Sequence, residues 1–127
     1  MSASSERPGV ISWFELPAGD FDRAVGFYEA VLGVALRREE IGGEPLAVFP
    51  YQRPGTGGAV VARDAMRPGA DGALVYLAYH DGLAAAMARV EPAGGRLLGP
   101  KVELPPGMGG FALALDTEGN RIGLHAV

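Results

Sequence analysis

The sequence predicts an α+β domain built from two copies of one βαβββ unit. Three observations carry this. A strand-like run followed by a capped, amphipathic helix occurs twice. The same offset of 61 residues separates Asp20 from Asp81, Gly33 from Gly94, and Leu36 from Leu97. Each helix is followed by further strand-like runs. A constant spacing across helix start, helix stop and following strand is the mark of an internal duplication.

The first strand is read at Val10–Leu16, rich in aromatic and β-branched residues. Asp20 stands at an N-cap position, where its carboxylate accepts from free backbone N–H groups. Phe21, Ala24, Val25, Phe27, Tyr28, Val31 and Leu32 follow at helical spacing, and Gly33 suits a left-handed stop. Strands are read at Ala35–Ile41, Leu46–Tyr51 and Gly58–Arg63. In the second copy Ala73–Tyr79 is the strand, Asp81 the N-cap, and Leu83, Ala84, Met87, Ala88 and Val90 the helical stripe that Gly94 ends. Strands at Arg96–Leu104, Phe111–Leu115 and Arg121–Ala126 complete it. Gly42-Gly43 and Glu118-Gly119-Asn120 read as hairpin turns. The modules are then about 10–63 and 73–127, joined by a linker at 64–72, within one domain of 127 residues.

Composition narrows the function. The formal net charge is −4 and the basic residues are scattered, so the clustered positive charge that nucleic acid requires is missing. With no cysteine, disulfides, thiolate metal sites and a cysteine nucleophile are excluded, and a cytoplasmic location is expected. Met1–Pro8 has no apolar stretch of the signal-peptide kind, and no apolar run nears the roughly 20 residues of a membrane span. The Ala-, Gly- and Arg-rich composition points to a bacterial source.

Three stretches bring in a family. Phe14-Glu15-Leu16-Pro17-Ala18-Gly19-Asp20-Phe21-Asp22-Arg23-Ala24 looks like the first strand and helix start of the vicinal oxygen chelate superfamily, the glyoxalase, bleomycin-resistance and extradiol-dioxygenase group. Phe27-Tyr28-Glu29-Ala30-Val31-Leu32-Gly33 resembles its helix end, and Asp116-Thr117-Glu118-Gly119-Asn120-Arg121-Ile122 its final hairpin. The resemblance covers nearly the whole chain from about residue 10, and is to small glyoxalase-like bacterial members. It implies two modules whose eight strands curl into an open, incomplete barrel with the site on the concave face. It also implies a homodimer, and, in the family's metal enzymes, His or Glu ligands on the first strand of each module and Glu on the last. The bound ion there stabilises an enolate or oxyanion.

Carried over by position, these ligands fall on residues that cannot ligate. The first is Trp13, seven residues before Asp20. Its counterpart is Leu74, or Val75 one residue on. The last-strand Glu falls on Gly123, and 58–62 holds neither carboxylate nor imidazole. No cofactor is therefore expected, with a divalent metal at other positions the exception. Strand alternation turns Ile11, Trp13 and Glu15 inward on the first strand, Leu74, Tyr76 and Ala78 on the fifth, and Gly123 and His125 on the last.

Glu15, His125 and Tyr76 are the candidate acid–base set. Glu15 is either a general base, its pKa raised by burial unless paired, or a member of a structural polar cluster. His125 is either its proton partner or a solvated terminal residue, and Tyr76 a donor or a pocket wall. His80 reads as solvated surface. Trp13, Leu74, Met108 and Arg53 are the candidate ligand-binding set, with Met108 on a possible flap at Glu103–Gly110 and Arg53 on the loop Tyr51–Gly58. Three functions stay open: a binding module for a small organic molecule, an enzyme using Glu15 and His125 as acid/base or as shifted metal ligands, and a protein acting through association.

Overall fold

A computed structural model describes residues 9–78 and 81–127. The readings made for Met1–Pro8, Tyr79 and His80 lie outside the described residues. The first module runs β1 (Trp13–Pro17), α1 (Phe21–Leu32), β2 (Arg37–Ile41), β3 (Glu44–Val48) and β4 (Gly57–Val61). The second runs β5 (Val75–Ala78), α2 (Leu83–Val90), β6 (Arg96–Leu97), β7 (Val102–Glu103), β8 (Gly110–Leu115) and β9 (Arg121–Ala126). The sheets have the order β1-β4-β3-β2 and β5-β9-β8-β6, with β7 also paired to β8. In each, the strand before the helix lies parallel to the module's last strand. The duplication read from spacing is thus a duplication of topology, and the fold is the expected α+β arrangement without a closed barrel.

The helix α1 forms where its signals place it. Asp20 is the N-cap, its carboxylate accepting from Arg23 N–H at 3.1 Å. Gly33 takes the left-handed φ of 67° and its N–H donates to Glu29 C=O at 2.9 Å. Ala24, Val25, Phe27, Tyr28 and Val31 are buried. They meet Leu83, Ala86 and Val90 of α2 and the inner faces of both sheets in one continuous core. Gly42 and Gly43, with φ of 61° and 81°, make the two-residue turn between β2 and β3; positive φ at both centres is what a type I′ hairpin needs.

Four local readings need correction. The first strand begins at Trp13, because the ladder starts at the Trp13–Gly57 pair and Val10 and Ile11 lie exposed before it. The second helix is capped by Gly82, not Asp81; the Asp81 carboxylate is held by Arg89, two turns along, at 2.8 and 3.2 Å. Its buried stripe is Leu83, Ala86 and Val90, while Ala84 and Ala88 face solvent. The single strand read at Arg96–Leu104 is two short strands, divided at Leu98–Lys101, where Gly99 and Pro100 weaken the ladder. No helix among the described residues is long and apolar enough to cross a membrane.

The modules are locked by the last hairpin. Asp116 is buried at its start. Its carboxylate accepts from Tyr28 Oη at 2.5 Å, Glu118 N at 2.8 Å, and Asn120 N and Nδ2, both at 2.9 Å. Asn120 also donates to Pro17 C=O at the end of β1, and its side-chain oxygen accepts from Gly69 N–H in the linker. Glu118, its side chain fully enclosed, accepts from Gly19 and Asp20 N–H at 2.9 and 2.8 Å and from Arg23 Nε at 2.8 Å. All three stretches that carry the family resemblance therefore meet: the second module's hairpin binds Tyr28 and caps the first module's helix.

Candidate functional site

The alternation expected along the strands holds. Leu16 and Val60 in the first sheet, and Leu77, Ala112, Ala114, Ile122 and Leu124 in the second, belong to the helix-side core. The opposite faces carry Trp13 and Glu15 on β1, Tyr76 on β5, and Gly123 and His125 on β9. Glu15 pairs in register with Ala59, and Tyr76 with Gly123, so Glu15 and Tyr76 occupy equivalent places.

On the first sheet Glu15 has a partner that spacing did not reveal. Arg63, just beyond β4, binds its carboxylate through both terminal guanidinium nitrogens, Nη2–Oε2 at 3.1 Å. Trp13 Nε1–H donates to the same carboxylate at 3.3 Å. Arg63 Nε also reaches Glu44 at 3.3 Å. The hydrogen bonds from Arg63 hold the Glu15 carboxyl below its ordinary value, against a smaller upward push from burial. Glu15 is thus paired, and its shift runs opposite to that of a carboxyl tuned upward to act as a base near neutral pH. Beside it Leu46, Val48, Ala59 and Val61 form a buried patch that Met66 of the linker covers. Arg63 and Met66 were missed by sequence reasoning; Arg63 carries the one available signal, a cation placed beyond β4 on Glu15's side of the sheet.

On the second sheet the polar groups are separate from these. His125 Nε2–H donates to Met108 C=O at 2.8 Å, which ties the Glu103–Gly110 loop to β9. Tyr76 packs edge-on against Phe111, centroids 5.5 Å apart. Among the described residues no hydrogen bond or ring contact joins Glu15 to Tyr76 or His125. The candidate acid–base set is therefore divided between a Glu15–Arg63–Trp13 cluster and a His125–loop contact.

Of the ligand-binding set, Trp13, Leu74 and Met108 are all exposed, at 38%, 37% and 54%. Trp13 meets Tyr51 edge-on, centroids 6.3 Å apart. Arg53 lies elsewhere, lining an open cleft of about 490 Å³ with Val10, Ile11, Tyr51 and Thr56. Aromatic rings also lie on glycines. A Cβ on Gly57 would stand 2.6 Å from Tyr51 and 2.8 Å from Trp13, and one on Gly123 would overlap the Tyr76 ring.

Substituting Gly123 tests that packing. Gly123→Ala should push Tyr76 off β9 and cost about 1–2 kcal/mol. In a Tyr76→Ala background the same change should cost less than about 0.5 kcal/mol, because the overlap is gone. Equal losses in both backgrounds, measured by denaturant unfolding, would mean the ring does not lie on the glycine.

This geometry can be set beside known proteins. A family model described as Glyoxalase/Bleomycin resistance protein/Dioxygenase superfamily matches residues 10–124. The chain belongs to that superfamily. Among solved structures, a glyoxalase-related enzyme from Fulvimarina pelagi is 23% identical with a TM-score of 0.66, over 94% of this chain and 88% of that one. TnmS3, an antibiotic binding protein from Streptomyces sp. CB03234, is 26% identical with a TM-score of 0.66, over 93% and 95%. An E144Q mutant of glyoxalase I from Zea mays is 22% identical with a TM-score of 0.68, over 90% of this chain but 45% of that one. No curated protein sequence matches.

Among the described residues, those at the positions the resemblance assigns to metal ligands do not fit the superfamily's divalent ion. Trp13 offers an indole N–H already given to Glu15. Gly123 has no side chain, and the space above it holds the Tyr76 ring. Among the described residues no group of three or more His, Cys, Asp or Glu stands close enough to hold a metal.

Proposed function

We propose that this superfamily member is a binding protein for a small, flat organic molecule, held on the sheet faces turned away from the helices and without a divalent ion. One observation carries this reading: aromatic rings stand at two of the positions to which the family resemblance carries the metal ligands. Trp13 is exposed at the first position, and Tyr76 lies over Gly123 at the last. Rings of this kind give a planar ligand stacking area at low entropic cost. Leu74 and Met108 supply exposed apolar surface around them, and the structural likeness to an antibiotic binding protein agrees in kind.

Glu15 serves in this reading to fix Arg63 and the Trp13 indole, and His125 to anchor the loop that carries Met108. A homodimer fits the same picture. Among the described residues β1 pairs only with β4 and β5 only with β9. Each therefore keeps an edge onto which a second copy can add, and the exposed Trp13 and Tyr76 lie on those two strands. We place the protein in the cytoplasm of a bacterium on its composition.

The test is a panel of flat aromatic compounds titrated by calorimetry, with elemental analysis of protein purified without a His-tag. Trp13→Ala and Tyr76→Ala should each weaken the best binder at least about tenfold while leaving the thermal midpoint near that of the parent. A bound ion near one per subunit, or binding indifferent to both substitutions, would overturn the reading.

A further inference from the structure

We propose that the cleft beside Tyr51 is an anion subsite, and that the ligand it takes is a planar aromatic carrying a carboxylate, with Arg53 as its counter-ion. This rests on the binding reading above and adds the ligand's charge. Four observations lead to it.

The first is the charge of the walls. The cleft, about 490 Å³, is lined by Gly9–Ser12, Tyr51 and Arg53–Gly57. Among the described residues Arg53 is the only charged one in that lining. The molecule as a whole is acidic, with a formal net charge of −4, so a positive charge in the described lining runs against the average of the chain.

The second is the state of the arginine. Arg23, Arg37, Arg38, Arg63, Arg89 and Lys101 are each satisfied by a carboxylate. Arg53, Arg67, Arg96 and Arg121 have no ion pair among the described residues. Of these four, Arg53 lines the cleft beside Tyr51. Glu15, the acid two residues from Trp13 on β1, is already paired with Arg63.

The third is the aromatic side of the cleft. Tyr51, 43% exposed, stands in its wall and meets Trp13 edge-on, so one ring is shared between the cleft and the proposed stacking surface. Gly57 keeps these rings close: a Cβ there would sit 2.6 Å from Tyr51.

The fourth is that the two walls are joined. Thr56 Oγ1 donates to Ile11 C=O at 3.3 Å across the cleft, which fixes the strand-leading segment against the Arg53 loop. Ser12 offers a further hydroxyl within the lining. A guanidinium binds a carboxylate through paired N–H donors, and such a charge-assisted contact is stronger than a neutral one. A ring on Tyr51 with its acid on Arg53 satisfies both parts of the lining at once.

The test compares 2-naphthoate with 2-naphthamide by calorimetry on the full chain. The two differ in charge and not in ring size. The wild type should bind the acid about tenfold more tightly, and added salt should erode that preference. Arg53→Gln should remove it, weakening naphthoate about tenfold and leaving naphthamide within about twofold, with Arg53→Lys intermediate. Unchanged thermal midpoints will show that the variants fold. Equal naphthoate binding by wild type and Arg53→Gln would overturn the anion subsite, as would a parallel loss of both ligands. Binding of naphthamide without preference for the acid would overturn the subsite and leave the stacking reading standing. Binding of neither would end both.

Discussion

Asp116→Ala is expected to destabilise the protein by about 3–4 kcal/mol, the largest effect of any single side-chain truncation proposed for it. The carboxylate is buried and accepts four hydrogen bonds, from Tyr28, Glu118 and twice from Asn120. Truncation takes the shared acceptor from all four donors at once. Two of these are backbone N–H groups that form the turn, and one is the amide that also reaches Pro17 and so holds β1. The loss is therefore felt in both modules. For a domain of this size the thermal midpoint should fall by roughly 10–20 °C. Tyr28→Phe supplies the control: it removes one donor and leaves the turn intact, and should cost about 1–1.5 kcal/mol. An Asp116→Ala loss below about 1 kcal/mol in urea unfolding would show that the hairpin is not the inter-module lock.

The same hairpin shows what was legible in the sequence and what was not. Local signals read correctly because they act over a few residues: the Asp20 cap, the Gly33 stop, the Gly42-Gly43 turn and the strand alternation that places Trp13, Glu15 and Tyr76 on one kind of face. The repeat offset also held, since Glu15 and Tyr76 occupy matching register positions. What failed were pairings between distant residues. Glu15 and Arg63 are 48 residues apart, and Glu118 and Arg23 are 95 apart. Neither periodicity nor composition encodes which acid meets which base. The Asp81 cap failed more locally: Arg89, eight residues on, holds its carboxylate, and Gly82, at φ 99°, takes the cap position. The strand faces follow the alternation, but Glu15 was weighed without the arginine that pairs with it.

Glu118 gives the second large effect, and it is a dependence on pH. Burial pushes its carboxyl upward, but hydrogen bonds from Arg23, Asp20 N–H and Thr117, with the charge of Arg23, outweigh it and bring the value down from 4.5 to about 2. A carboxyl depressed in the folded state stabilises the fold above its unfolded value, and that stabilisation is lost as pH falls through the folded one. The contribution is thus complete at neutral pH and disappears between about pH 4.5 and pH 2. It is worth roughly 2–3 kcal/mol at most, discounted because the Arg23 end is more than half exposed to solvent. Glu118→Gln keeps the shape and one acceptor oxygen but removes the charge. It should cost roughly 2 kcal/mol at pH 7, and the cost should shrink toward zero by pH 2. Glu15, also depressed, adds to the acid sensitivity of both proteins and cancels in the difference. Parallel stability curves for the parent and Glu118→Gln across that window would mean that the second module does not hold the first module's helix through this charge.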